Sequence, residues 1–242
     1  MNTPSLKTLL AAGLLACGLS TAASAQSTYV FSSFDTTDTA DIGFIGGVMA
    51  VNGDINADGV LLRLSGLHGT YSYALGAGEN DVDVTAVDAM VGYQTFRDGL
   101  RLSGYIGVEH RDSDLALVDP NNPTQGDEVG AKVQLELATT AGTPLYLSLI
   151  GSYSTAFDTY WTRGRVGYDF GGFVIGPELM ALGDEGFDQI RYGGFVDIQI
   201  PGMRNVAIGL SGGGVDSDSS STDPAFRSED DAYAHIAVAI GF

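Results

Sequence analysis

The sequence has little cysteine, tryptophan or positive charge. Cys17 and Trp161 are each the single residue of their type, and 11 Lys and Arg stand against 30 Asp and Glu, a formal net charge of −19. A lone cysteine permits no intrachain disulfide. So few cations exclude a binder of nucleic acid or of an anionic membrane surface, since both demand a basic patch. No stretch after residue 26 sustains a 3.6-residue apolar period. No apolar run reaches the roughly 20 residues of a membrane-spanning helix. What is plentiful is glycine, 34 of 242 residues, about twice its usual share. Glycine weakens helix interiors, which disfavours a helical bundle. The chain is 44% apolar and 10% aromatic, too much for a disordered chain. Its length fits one large all-β domain or two small ones.

Residues 1–25 carry Lys7, an apolar run from Leu9 to Leu19, and Ala23-Ser24-Ala25. This is the charged, apolar, small-residue order of a secretory signal peptide, with cleavage before Gln26. Lipoprotein processing at Cys17 is the rival reading, and the Ala-x-Ala site is the better match. Residues 26–242 then form the mature domain, free of cysteine and so safe in an oxidising compartment.

The mature chain alternates with a period of two, in segments separated by turn residues. Twelve strands are expected, near 27–35, 41–52, 59–74, 82–96, 99–111, 126–139, 144–156, 159–170, 172–183, 187–200, 203–215 and 230–242. The connections alternate in length. Arg97-Asp98-Gly99, Thr140 to Thr143, Gly171-Gly172 and Pro201-Gly202 are tight, with Asn52 to Asp58 the longest of that set. The longest loops, Asp112 to Asp127 and Asp216 to Ser228, both follow odd-numbered strands. A β-sandwich has no reason to sort its loops so. A transmembrane barrel does, with short periplasmic turns and long outward loops. The expected fold is therefore all-β: a single antiparallel outer-membrane barrel of about twelve strands, with both termini periplasmic and neither plug nor periplasmic domain.

The last strand supports this. Phe242, Ile240, Val238, Ile236 and Ala234 share one face, and Tyr233 and His235 the other. An aromatic carboxy-terminal residue after alternating apolar positions resembles the terminal-strand signal of bacterial outer-membrane barrels. Tyr233, Ile236, Val238, Ile240 and Phe242 are read as that assembly signal, with the barrel-assembly machinery and outer-membrane lipid as partners.

Parity then divides the faces. Val129, Ala131, Val133, Leu135 and Leu137 face lipid, as do Leu145, Leu147, Leu149 and Tyr153, and Ile190, Tyr192, Val196, Ile198 and Ile200. A midplane charge on the lipid face costs about 2–4 kcal/mol, so charges should collect inside. The inward cations are Arg63, Arg101, Arg111, Lys132, Arg163, Arg165 and Arg191; the inward acids are Asp88, Glu109, Glu136, Asp169, Glu178 and Asp197. Near balance has two readings. One is a lumen sealed by its own ion pairs, since buried charges need partners in any case. The other is a narrow selective pore or sugar-binding channel, with Trp161, Tyr105 and Phe195 as stacking surfaces. Twelve strands enclose less space than the 16–18 of open porins.

Twenty-one of the 30 acids lie in or beside the six expected outward connections. Solvated, repulsive loop tips account for them. Asp216-x-Asp218 lacks the frame of a calcium loop, and no metal site or cofactor is expected. Catalytic candidates are thin. His110 and Ser113 lie near the outer rim, where some outer-membrane lipid hydrolases and acyltransferases place a His–Ser pair. However, parity puts His110 on the lipid side, and no nucleophile motif surrounds Ser113. His235 faces inward, where a satisfied lumen histidine is expected, and His68 completes the set. No phosphate loop or Cys/His cluster is present. The chain is not read as an enzyme.

Three strings carry a family resemblance: AVNGDINADGVLLRLSGLHGTYSY at 50–73, DAMVGYQ at 88–94, and LRLSGYIGVEHRDSDLALVDPNNPTQGDEVGAK at 100–132. Together they resemble the cellulose biosynthesis protein BcsS family, found with bacterial cellulose synthase genes. The likeness is strongest over residues 45–135. It implies an outer-membrane barrel accessory to cellulose biosynthesis or export, with cellulose synthase components or glucan as partners. It brings no catalytic or binding residues to carry over. A narrow small-solute or ion channel is the alternative; a surface lipid hydrolase or acyltransferase is third.

Overall fold

The computed structural model describes residues 26–76, 78–140, 142–200, 203, 205–219 and 231–242. The expected signal peptide, the Pro201-Gly202 turn and the tip of the last outer loop lie outside these residues. Twelve strands follow in order: β1 (Thr28–Thr36), β2 (Ala40–Ala50), β3 (Gly59–Leu75), β4 (Gly78–Arg97), β5 (Leu100–Leu115) and β6 (Gly126–Thr139), then β7 (Leu145–Ser154), β8 (Tyr160–Asp169), β9 (Phe173–Asp184), β10 (Phe187–Gln199), β11 (Val206–Ser219) and β12 (Asp231–Gly241). Every strand pairs antiparallel with its sequence neighbours, and β1 pairs with β12 to close the barrel. Closure leaves no unpaired edge, which is what hydrocarbon demands of a sheet.

The outward face explains why this sheet belongs in a membrane. Leu64, Ile106, Val108, Val129, Leu135, Leu179 and Ile190 are all more than half exposed. Around them lie Tyr93, Tyr153, Tyr168, Phe170 and Phe173, also exposed. Phe170 stacks on Phe173 at 4.9 Å and meets Tyr168 at 4.8 Å, part of an aromatic girdle at the end of the barrel that carries the termini. On β12, Ile236, Val238 and Phe242 point outward, whereas Tyr233 is buried within.

Strands β4, β5 and β11 run further at the outer end than their sequence pattern suggests. β4 starts four residues before the expected 82, and β5 ends four after 111. There Asp83 pairs with Asp114, and Val82 with Leu115. Along β4 the outward face changes from Asp81 and Asp83 to Val87, Val91 and Tyr93, while Asn80, Val82, Val84 and Ala86 stay buried inside. Above the lipid both faces of a strand meet water, so the apolar alternation that marks a strand fades although the ladder continues.

Both ends are partly filled from within. At the terminal end, Gln94 donates to the carbonyls of Ile55 (2.7 Å) and Ala57 (2.8 Å). This draws the β2–β3 turn beneath an apolar cluster of Val48, Ala50, Leu61, Met90 and Tyr105, against which Phe31 and Ile55 pack. At the opposite end the β5–β6 connection, residues 116–125, folds back over the mouth. Asn80 donates to the Leu117 carbonyl (2.9 Å) and accepts from its N–H (2.7 Å). The Tyr73 hydroxyl donates to Asp119 (3.0 Å) and accepts from Asn80 and Asn122. Thr124 meets the Tyr71 hydroxyl on β3. Pro123 lies so close to Gly186 that a Cβ there would sit 3.3 Å from its ring. Gly186 belongs to the β9–β10 turn, half-way round the barrel from β3, so the segment spans the opening.

Candidate functional site

The charged lumen is built by parity, with successive inward positions on each strand stacking a polar column against its neighbours. On the β3–β6 wall, Lys132 reaches both Glu109 and Asp88, the latter at 2.8 Å, and Ser65 donates to the same Asp88 at 2.7 Å. Glu136 faces Arg63 at 3.4 Å and Arg101 at 3.5 Å, and accepts from Gln134 at 2.7 Å.

The second wall runs from β8 round to β1. Arg165 donates to Glu178, a side chain with no exposed surface, and lies 3.3 Å from Asp197. The Tyr233 hydroxyl donates to the other oxygen of Glu178 at 3.1 Å. Arg191 binds Gln189 and Asp35, and Asp35 lies 3.4 Å from His235 Nδ1. Above them Met180, Val215 and Tyr233 pack with Trp161.

Aromatic faces flank the cations. Arg63 lies 4.9 Å from the Phe31 ring and 5.8 Å from Tyr105; Arg165 lies 4.7 Å from Phe195, which meets Tyr146 at 5.6 Å. Arg191 lies 5.6 Å from the Tyr233 ring. Glycines make room for these groups in a narrow barrel. A Cβ at Gly46 would press on Phe31 at 2.5 Å, one at Gly193 on the Tyr233 hydroxyl at 2.7 Å, and one at Gly92 would overlap Tyr105.

The sequence-expected residues fall as follows. Arg101, Glu109, Lys132, Glu136, Arg165, Glu178, Arg191 and Asp197 meet in the two networks just described. Trp161 and Arg163 pair with each other, with the guanidinium 5.3 Å from the ring. Arg111 stands higher, beneath the crossing segment and between Tyr71 and Asp184. Asp169 departs from the expected lumen role: its carboxylate accepts the Gly171 N–H at 2.7 Å and so belongs to the β8–β9 turn. Asp35 and Tyr29 are among the lumen residues that the parity reading left out. Asp35 shares its parity with Tyr29 and Phe31, and that alternation on β1 was the available signal. Tyr29 lies 5.7 Å from the Phe31 ring, which in turn lies 4.9 Å from Arg63 on β3. His110 is exposed on the outside while Ser113 is buried inside, so the pair lies on opposite faces of β5. Among the described residues, no three His, Cys, Asp or Glu side chains gather as metal ligands.

Comparison with known proteins agrees with this architecture. A family model described as cellulose biosynthesis protein BcsS matches residues 29–242. No curated protein matches. Among solved structures, the KdgM porin in complex with disordered oligogalacturonate is similar at TM-score 0.50 and 11% identity, over 88% of this chain and 99% of that one. A second KdgM porin structure is similar at TM-score 0.47 and 12% identity, over 88% and 99%. The outer membrane phospholipase A of Escherichia coli is similar at TM-score 0.41 and 11% identity, over 90% and 97%. At 11% identity the likeness to the first of these, at TM-score 0.50, shows the fold alone, an outer-membrane β-barrel.

Proposed function

Because the chain belongs to the cellulose biosynthesis protein BcsS family, we propose that it serves bacterial cellulose production or secretion as an accessory barrel of the outer membrane, and not as the conduit for the polymer. The observation that carries the second half is the partial cover at both ends of the lumen. Side chains of both walls pack inward, the β2–β3 turn tucks under one end, and residues 116–125 span the other. In this reading the apolar belt meets lipid, the terminal end faces the periplasm and the acidic end faces outward. Cellulose synthase components or glucan are the partners. No catalytic step is assigned: His110 and Ser113 face opposite ways, and His235 is held against Asp35.

The test is a clean deletion scored with a cellulose-binding dye, complemented by the wild-type gene and by an Arg165→Met variant. Altered cellulose deposition, restored by the wild type, is expected. Unchanged cellulose in the deletion strain overturns the proposal.

A second reading, a narrow channel for small solutes or ions, draws on the charged groups that remain accessible near the terminal end, Arg101 at 38% and Asp197 at 25% side-chain exposure. It predicts conductance in planar bilayers that changes when Arg163 or Arg165 is replaced. A silent bilayer from correctly folded protein rejects it.

A further inference from the structure

The lumen's cations are unevenly used. Lys132 is shared by Asp88 and Glu109, Arg165 by Glu178 and Asp197, and Arg191 is taken by Asp35. The unmatched positive charge gathers in one place. Glu136 alone faces both Arg63 and Arg101. Arg163 forms no ion pair among the described residues and lies against the Trp161 ring. Glu178 and Asp197, the acids on β9 and β10 beside it, are already bound to Arg165. Among the described residues, the Nε–H groups of Arg63 and Arg163 are buried without a hydrogen-bond partner. Unpartnered buried donors are costly, and two guanidinium groups sharing one carboxylate leave local positive charge in a low-dielectric setting. An incoming anion relieves both.

These cations belong to one site. Glu136, the carboxylate that Arg63 and Arg101 share, pairs in register with Ile150, and Ile150 with Arg163, so Arg163 stands two strands away in the same row. From β1, Tyr29 lies 5.7 Å from the Phe31 ring, which lies 4.9 Å from Arg63. The group therefore runs from β1 through β3 to β5–β8. Access is from the terminal end, where Tyr29 and the Arg101 side chain are each 38% exposed.

We propose that Arg63, Arg101 and Arg163, with Tyr29 and Tyr146, form a lumenal binding site for a carboxylate-bearing saccharide. Guanidinium forks match a carboxylate in charge and in planar geometry. The partly buried aromatic rings beside them, Phe31 at Arg63 and Tyr146, suit the apolar C–H faces of a pyranose ring, which an inorganic anion lacks. The proposal goes beyond the cellulose reading and stands or falls without it.

The experiment is calorimetric titration of the refolded, heat-modifiable barrel in detergent with cellobionate, cellobiose and sulfate. Cellobionate and cellobiose share the non-reducing glucopyranose and differ in the other unit, which in the former is an open-chain gluconate carrying a carboxylate. Cellobionate is expected to bind at least tenfold more tightly than cellobiose or sulfate. Arg163→Met, which removes no ion pair, is expected to weaken cellobionate at least tenfold while heat-modifiable mobility is retained. Tyr146→Leu is expected to weaken cellobionate but leave any sulfate binding unchanged. Equal binding of the two disaccharides, sulfate binding as tight as cellobionate, or no cellobionate binding by the folded barrel each overturns the proposal. The deletion phenotype is scored separately, so failure of either proposal leaves the other readable.

Discussion

On the β3–β6 wall, Lys132 serves two carboxylates and Glu136 serves two arginines; on the wall from β8 round to β1, Arg165 and Arg191 take all three carboxylates and leave Arg163 with none. Each wall thus holds three cations and three acids, yet the first spends its cation where acids crowd and the second leaves one exposed to the lumen. The first wall is also fastened at both ends, by Asn80 and Tyr73 to the crossing segment and by Asp58 to the end of β4. Equal charge counts therefore do not imply equal roles. Shared partners make a wall structural, and a cation without a carboxylate makes a wall receptive.

The largest effect should come from Lys132→Met. Removing one partner of a buried ion pair costs about 3–5 kcal/mol, and here two carboxylates lose it together. Asp88 keeps Ser65, whereas the second oxygen of Glu109 is already buried without a partner. The urea midpoint, read by heat-modifiable mobility, should fall markedly. Arg163→Met on the opposite wall should cost less than about 1 kcal/mol, the range of a group that makes no strong pair. Equal losses would erase the distinction between the walls.

Next come the glycines. A Cβ at Gly193 would overlap the Gly212 carbonyl and crowd the Tyr233 hydroxyl, which holds Glu178. Gly193→Ala should cost about 1–3 kcal/mol, the usual penalty of overpacking. Gly66→Ala, on β3, meets nothing nearer than a backbone oxygen at 3.6 Å and should leave the urea midpoint unchanged. A smaller effect is expected of Tyr73→Phe. It removes one hydroxyl that serves Asp119, Asn80 and Asn122, worth about 1 kcal/mol. It should raise protease cleavage within 116–125 without altering the urea midpoint of the barrel.

The strand count, the two faces and most of the lumen charges were legible in the sequence because a barrel wall obeys a period of two, and hydrocarbon forbids charge on one side of it. What was not legible is what happens across the barrel. Nothing local links Arg63 to Glu136, or Pro123 to Gly186, since these meet only once the strands have closed into a barrel. The strand extensions were hidden because β4 and β5 lose their apolar alternation above the lipid. The turn around Ile55 looks like an ordinary polar connection, and Gln94, which pins it inside, sits at the far end of β4. Asp169 shows the converse limit. Parity points it inward, but an adjacent turn supplies a nearer N–H.

The smallest effect concerns the terminal-end fastening of the first wall. Asp58 lies in the β2–β3 connection, outside the membrane-spanning strands. Its carboxylate accepts the Phe96 N–H at 2.7 Å and the Thr95 hydroxyl at 3.1 Å, and pairs with Arg97 at 3.0 Å. The Phe96 N–H first, then Thr95 and Arg97, hold its pKa below the ordinary carboxylate value. A group whose pKa is lower folded than unfolded favours the fold in its ionised form. Its contribution is therefore complete above the ordinary carboxylate range, and it is lost as pH falls through the lowered value. The Arg97 partner is largely exposed, so salt should screen that part. Asp58→Asn keeps the size of the group and abolishes its titration. The wild type and this variant should differ slightly in urea midpoint at neutral pH and converge in acid, with the difference reduced in high salt. Lys132→Met should remain far less stable than the wild type at neutral pH under the same salt, because its lost partners are buried within the lumen. A salt-insensitive Asp58 difference, or one that grows in acid, would place the fastening of this wall elsewhere than at its terminal-end carboxylate.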